Sequence, residues 1–435
     1  MVVDIGSVSS SEIMKTICHL DSIGVRFAGT KTEQAAADWI EKEYRKLGLQ
    51  NVVQQEFPCL SYSYSDCQTE VLTSTGWSSL RSEPTAHSPS TPDSGIEGEL
   101  LVVEKVPATL AAARRKMKGR VVLIYNSEFF QFPIFKRVMQ SGPLALLVVD
   151  DRFPNEWTVA VGFPRYWVDF LSCPIVNVPH SEAWNCVRES GTRVRLKVKT
   201  SIEPGMSQNV IGEIPGSDRS DQVLVISGHH DTVINSSGVD DNATGVAAVL
   251  ELARVFASTS PRRTLRFISY GTEEQLSEGA KFYALEAKDL ERIQFVLNVD
   301  SIGAVLGKTG IYYCGPSEIE KTIKPINDAL DFEAHLIREL SPFSDHFPLN
   351  CCGIPAVWYY RTTYVAARHY HHSVLENLDI LSPGVLERTI RQQAALLDCL
   401  ANSDPCPIPR QIPKNQMNVL RKWAREWCGV DSFER

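Results

Sequence analysis

The sequence predicts an α/β protein, a three-layer mixed sheet with helices on both faces, interrupted by an inserted, mostly β module. Three observations predict it. From Gln208 onward, strand-like apolar runs alternate with helical ones, the pattern of an α/β sheet. Between residues 59 and 200 the texture changes to short β runs with a Ser-, Thr- and Pro-rich stretch. The acidic and histidine clusters of the later segment follow strand-like runs, where open α/β sheets place their ligands.

The elements follow in chain order. Residues 10–58 read as helix, turn, helix, strand. Over 32–47, Ala35, Trp39, Ile40, Tyr44 and Leu47 form a helical stripe, and Gly48 stops it. Residues 52–57 read as a short strand with Val53 and Phe57 on one face. Residues 73–94 read as loop. Short β runs follow at 99–103, 120–125, 144–149 and 175–178, with helices at 136–140 and 181–189. Over 193–199, Val194, Leu196 and Val198 alternate to one face. Strands at 210–214, 223–227, 265–270 and 295–299 then alternate with helices at 244–256, 278–290 and 316–330, and residues 382–402 form a last amphipathic helix. The domains are accordingly 1–58 with 201–402, an insert over 59–200, and an extension over 403–435. In that extension Leu420, Trp423 and Trp427 sit among Arg421, Lys422 and Arg425. Such a stripe is docked core or a subunit contact more often than a membrane helix.

Composition excludes several functions. With 44 Lys and Arg against 52 Asp and Glu, the net charge is −8. Nucleic acids and anionic membranes want a basic face, so neither is an expected partner. No stretch approaches 18 apolar residues, so no transmembrane helix is expected. The 11 cysteines are scattered and none forms a CxxC pair, which suggests a reducing compartment. The first residues lack a basic region followed by a long apolar run. The expected location is cytoplasmic, or secreted if the start is a processed one. Sequons at Asn235 and Asn242 are discounted, because a glycan at Asn242 would block the adjacent cluster.

Five clusters carry chemistry. GHHDT follows the run 223–227 and holds His229 and Asp231; a metal-bound imidazole usually gives its other N–H to a carboxylate. GVDDNATG opens a helix. Asp and Asn there are ordinary caps, or Asp241 presents one short carboxylate to two cations. GTEEQ follows the run 265–270, and two adjacent glutamates, Glu273 and Glu274, can divide labour between general base and metal. NVD ends in Asp300. RHYHHSVLENLD carries His369, His371 and His372. Six of the ten histidines are these three with His229, His230 and His346, a concentration that core packing does not explain. Three carboxylates and one hydroxide neutralise two divalent cations, and imidazole–carboxylate sets suit zinc.

The order H-x-D, D-N-x-[ST]-G, E-E, N-x-D, H-[ST]-x-x-[DE] resembles the co-catalytic di-zinc aminopeptidases, whose relatives include glutamate carboxypeptidases and glutaminyl cyclases. The fit runs from about Gln208 to Asn402. The insert, with its PIVNV and KGRVVLI segments, resembles a protease-associated domain placed before SQNVIGEIPGS. The resemblance implies a zinc-peptidase fold and two zinc ions per chain, with cobalt or manganese as substitutes. His229 and Asp300 would bind one ion, Glu274 and His372 the other, with Asp241 bridging. Glu273 would be the general base and Asp231 the partner of His229. The implied activity is a metallo-exopeptidase, first an aminopeptidase, in which a bridging hydroxide attacks the peptide carbonyl.

The chain departs from the pattern where relatives place an oxyanion-stabilising tyrosine. His371 stands there, and His371, Tyr370 or His346 is the candidate. The H-S-x-x-E match favours His372 over His371 as ligand. Phe343, His346 and Phe347 are pocket candidates, with a packed helix turn as the equal reading. Arg361 and Arg368 could bind a substrate carboxylate, which would make the chain a carboxypeptidase or dipeptidase. A glutaminyl-cyclase-like acyltransferase or a non-catalytic receptor-like protein ranks lower, because all five ligands and Glu273 are present. Peptide is the expected partner. The insert either roofs the cleft and limits substrate length or forms a homo-oligomer surface.

Overall fold

The computed structural model describes residues 3–151, 154–160, 162–188, 192–363 and 369–433. The chain divides into two compact units. One comprises Met1–Cys59, Pro204–Arg368 and Leu375–Arg435; the other comprises Leu60–Glu203 and His369–Val374.

The first unit is built on a mixed sheet. Its strand order is His335–Ile337, Lys308–Cys314, Ala356–Thr362, Ile293–Val299, Arg219–His229, Arg263–Tyr270 and Arg193–Ile214. The four central strands, Ala356–Thr362 to Arg263–Tyr270, pair in parallel. Arg193–Ile214 and Lys308–Cys314 join them antiparallel on either side. Parallel pairs need crossovers, and the helical segments read between the strand runs supply them.

Alternation along the central strands feeds two cores. Leu224, Ile226, Leu265, Phe267, Phe295 and Leu297 pack with the helices Ser10–Ile23, Lys31–Lys46, Ala243–Phe256 and Pro383–Asn402. Val223, Val225, Ile268, Tyr270 and Val296 pack on the other side with Ala280, Tyr283 and Leu349. Helices thus cover both faces, and buried parallel strands read as near-continuous apolar runs for that reason. Ala243–Phe256 is buried along almost its whole length, contacting Ser10–Ile23 and Pro383–Asn402 as well as the sheet. Its cap is Asn242, whose Oδ1 accepts from Gly245 N at 2.8 Å.

The second unit also centres on a sheet, in the order Glu83–Pro84, Ile175–Val178, Ala145–Val149, Val121–Tyr125, Ile96–Val103 and Arg193–Ile214. Its middle strands are parallel and are joined through the helices Leu110–Met117 and Phe132–Ser141.

Several strands differ from expectation: Gly76–Leu80 falls in the stretch 73–94 read as loop, and Lys308–Cys314, His335–Ile337 and Ala356–Thr362 have no counterpart in the sequence reading. The strand predicted over 52–57 is Gln50–Thr73, 24 residues long, and turns through Ser74 and Thr75 into Gly76–Leu80. Its Ser- and Tyr-rich half alternates without an apolar face, so periodicity misses it. The runs at 193–199 and 210–214 are one strand, Arg193–Ile214, largely exposed in the middle. All eleven cysteines are free thiols. Among the described residues, no helix is long and apolar enough to cross a membrane.

Candidate metal centre

The carboxyl ends of three adjacent parallel strands bring the acidic clusters together. His229 closes Arg219–His229, Glu273 and Glu274 follow Arg263–Tyr270, and Asp300 follows Ile293–Val299. The loop before Ala243–Phe256 adds Asp241. His229, Asp231, Asp241, Glu273 and Asp300 are all buried, and Glu274 is half-buried.

His229 is the hub. Its Nε2 lies 3.2 Å from Asp241 Oδ1, 3.9 Å from Glu273 Oε2 and 3.9 Å from Asp300 Oδ1. Among the described residues, that buried nitrogen has no well-formed hydrogen bond. One ligand atom each from His229, Asp241 and Glu274 lies within 4.8 Å of the others. Burial works to lower the His229 pKa, but the carboxylates of Asp231, Asp241 and Asp300 hold it well above the usual range. A single imidazole facing this many acids is a donor set for a divalent cation, and nitrogen with carboxylate oxygen suits zinc.

The acids are held by local bonds. Asp231 Oδ1 accepts from Glu273 N at 2.9 Å and Oδ2 from Glu274 N at 3.1 Å, so it fixes the Glu-Glu turn. Its Oδ1 also lies 3.4 Å from His229 Nδ1, where a carboxylate orients the ring. Thr272, Leu276 and Ser277 around that turn all have positive φ. Asn242 ties its loop to the neighbouring strand through Val299 O at 2.9 Å and Ser301 N at 3.1 Å. A Cβ on Gly245 would collide with that amide and with Val299 O. Asp300 accepts from Ser301 Oγ and Ser344 Oγ, each at 2.8 Å.

Sequence reasoning misses several residues here. Asp345 is buried and, among the described residues, both its carboxylate oxygens lack a hydrogen-bond partner. Burial pushes its pKa, and that of Glu273, well above the usual carboxylate range. Glu376 Oε1 accepts from Asp240 N at 2.9 Å and Asp241 N at 2.6 Å, and its Oε2 from Ser236 Oγ at 2.9 Å. The H-S-x-x-E pattern was its only signal. Buried Arg26 donates to His230 O at 2.7 Å and Ser237 O at 2.6 Å, joining the N-terminal segment to these loops. Glu33, also buried, accepts from Gly29 N and Ser207 Oγ at 2.6 Å each.

His346 is buried, stacks on Trp358 with ring centroids 5.4 Å apart, and burial lowers its pKa to about 3. Phe343 is 48% exposed. Arg361 donates to Ala304 O at 2.6 Å and Thr309 Oγ1 at 2.8 Å, beside Lys308, Asn327 and Arg388 in a groove of about 1070 Å³. His369, Tyr370, His371 and His372 belong to the second unit. There the rings of His371 and His372 lie 3.5 Å apart, His372 Nδ1 faces Ala160 O at 3.0 Å, and Tyr370 is buried. Arg368 lies outside the described residues.

The chain is 25% identical to aminopeptidase YwaD of Bacillus subtilis over 78% of its own length and 73% of that protein's. It is 24% identical to carboxypeptidase Q of Xenopus laevis, covering 74% and 72%. The solved structure of a zinc aminopeptidase from Bacillus subtilis superposes with a TM-score of 0.73 at 21% identity, covering 93% of this chain and 99% of that one. Residues 209–397 match the profile of Peptidase family M28. That segment, which contains the whole cluster from His229 to Asp345, is similar to peptidase family M28.

Proposed function

We propose that this chain is a zinc-dependent exopeptidase, and specifically an aminopeptidase that uses two metal ions. The observation that carries the reading is the set of buried His229, Asp241 and Asp300 and half-buried Glu274, with Glu273 beside it. The resemblance to aminopeptidase YwaD supports the amino-terminal direction. In this reading His229, Asp300 and Asp241 would hold one ion, and Asp241 and Glu274 the other, to which the motif resemblance adds His372. When bound, the metal acts as a Lewis acid on the scissile carbonyl and makes water acidic enough to attack at neutral pH.

The protein's own groups do the rest. Asp231 fixes the backbone of Glu273 and so sets where its carboxylate points. Glu273 takes the proton of the attacking water and returns it to the leaving amine. Burial holds that carboxyl above its usual range, which suits a group that must both accept and release a proton. The second unit is read as a protease-associated-like domain, supported by PIVNV and KGRVVLI lying on its parallel strands Ile175–Val178 and Val121–Tyr125. The resemblance to carboxypeptidase Q supports a second reading, carboxypeptidase or dipeptidase action.

A mixed peptide pool incubated with and without chelator, its products weighed by mass spectrometry, tests the proposal. Chelator-sensitive shortening from the N-terminus is expected; shortening from the C-terminus would move the assignment to the second reading. Glu273→Gln should lower kcat by about 10³-fold or more while the protein retains its zinc. Near-normal turnover in that variant would remove Glu273 from its role.

A further inference from the structure

The helix Lys414–Trp423 and its continuation Ala424–Cys428 have no part in the chemistry above, yet they pack on the segment that reaches Asp300. The Trp427 ring meets Phe343 edge-on with centroids 5.4 Å apart. Trp423 meets Phe347 at 6.4 Å. The two tryptophans are four residues apart in sequence, as are the two phenylalanines, and the contacts run in opposite directions, 427 on 343 and 423 on 347. The contact is anchored on both sides. Leu420 is fully buried, Cys351 Sγ lies 3.8 Å from Leu420 O, and Gln416 Oε1 accepts from Gly315 N at 3.1 Å.

Between the gripped phenylalanines lie Ser344, Asp345 and His346. Ser344 Oγ accepts from Asn298 Nδ2 at 2.7 Å and donates to Asp300 Oδ2 at 2.8 Å. Asn298 Oδ1 in turn accepts from Ser227 Oγ at 2.8 Å. One Asp300 oxygen is therefore occupied by a hydroxyl whose backbone sits beside Phe343. Phe343 is half-exposed while Pro342 and residues 344–350 are buried, so Trp427 is a large apolar anchor against the one exposed side chain of that segment.

We infer that this helix is a positioning element of the metal centre: Trp423 and Trp427 hold residues 343–347 so that Ser344 fixes the orientation of Asp300. The inference rests on the reading of Asp300 as a metal ligand. Outer partners of this kind typically change metal affinity 10- to 100-fold, and a partner one step further out should act at the low end of that range.

The test measures zinc affinity of the full chain by competition with a chromophoric chelator, alongside kcat, KM and the far-UV spectrum. Trp427→Leu keeps an apolar side chain while removing the ring, and should fold. It should weaken zinc binding by about tenfold and lower kcat with KM little changed. Trp427→Phe, which keeps an edge-on ring, should restore parent affinity. In a Ser344→Ala background, Trp427→Leu should add little, because both act through one bond. If Trp427→Leu does not fold, Trp423→Leu carries the same comparison. Lower stability with parent zinc affinity would overturn the inference, as would full additivity with Ser344→Ala. Asp300→Asn separates the two readings. If it leaves zinc affinity unchanged, the ligand assignment fails; if it weakens binding and the tryptophan variants do not, only the positioning role fails.

Discussion

Buried ionisable residues divide into those whose pattern announces them and those that only packing makes unusual. Asp231, Glu273 and Asp300 are legible because each sits at a strand end beside other chemistry-bearing residues. Asp345 is not, because nothing in SPFSDHF distinguishes a solvated aspartate from one with both oxygens buried. His87, in the second unit, belongs to the same illegible class. It is buried, its Nε2 lies 3.3 Å from Leu60 O, and its ring is 5.7 Å from that of Tyr62. Burial lowers its pKa to about 4, from the 6.5 of a free imidazole. The folded state therefore binds fewer protons than the unfolded chain between those two values, and stability falls as pH drops through that window. It is complete above pH 6.5 and has lost about 3 kcal/mol by pH 4, at roughly 1.4 kcal/mol per pH decade. Urea unfolding of the second unit's transition at pH 7 and pH 4.5 should show that loss. His87→Gln should flatten it; an unchanged slope would mean other groups set the acid sensitivity.

At the scale of elements, the long capped helices are read closely because their starts are local. Asn242 caps Ala243–Phe256, Ser382 caps Pro383–Asn402 and Thr30 caps Lys31–Lys46, all residue types that favour the first position. The long strands are read poorly because their outer halves bury too little to leave a period-two signal. The loop 236–242 shows a third case, in which one distant side chain organises an element. Glu376 takes the N–H groups of both Asp240 and Asp241. Glu376→Ala would leave two buried donors unsatisfied and should cost about 2–5 kcal/mol. Glu376→Gln keeps an acceptor oxygen and should cost less than half of that. Denaturant titration of both variants checks the ranking, and equal losses would point to charge rather than hydrogen bonding.

For the whole molecule, the dominant feature is uncompensated buried negative charge in the first unit. Asp231, Asp241, Glu273, Asp300, Asp345 and Glu33 are all buried within its fold, against His229 and Arg26. A cation bound only by the folded state stabilises by mass action, about 2.7 kcal/mol at a hundredfold excess over Kd. Chelation should therefore lower the first unit's unfolding midpoint by several degrees, and added zinc should raise it in a concentration-dependent way. A chelator-insensitive midpoint would mean the acids are neutralised by protonation instead. The fold class was legible because alternating strand and helix runs survive as sequence texture. The charge excess was legible only in part, since Glu33 and Arg26 come from the N-terminal segment and carry no motif.

The first unit is assembled from three separate stretches of chain. The apolar faces of Ser10–Ile23 and Lys31–Lys46 pack on Ala243–Phe256, which is made about 200 residues later. At roughly 5–20 residues per second on the ribosome, those two helices wait on the order of 10–40 s with Ile13, Ile17, Leu20 and Ile40 uncovered. The second unit, nearly contiguous in sequence, can fold during that interval. Synthesis thus delivers all of the second unit but residues 369–374 before the first unit can close, and the nascent N-terminal helices are the stretch of this chain that most needs shielding by a chaperone.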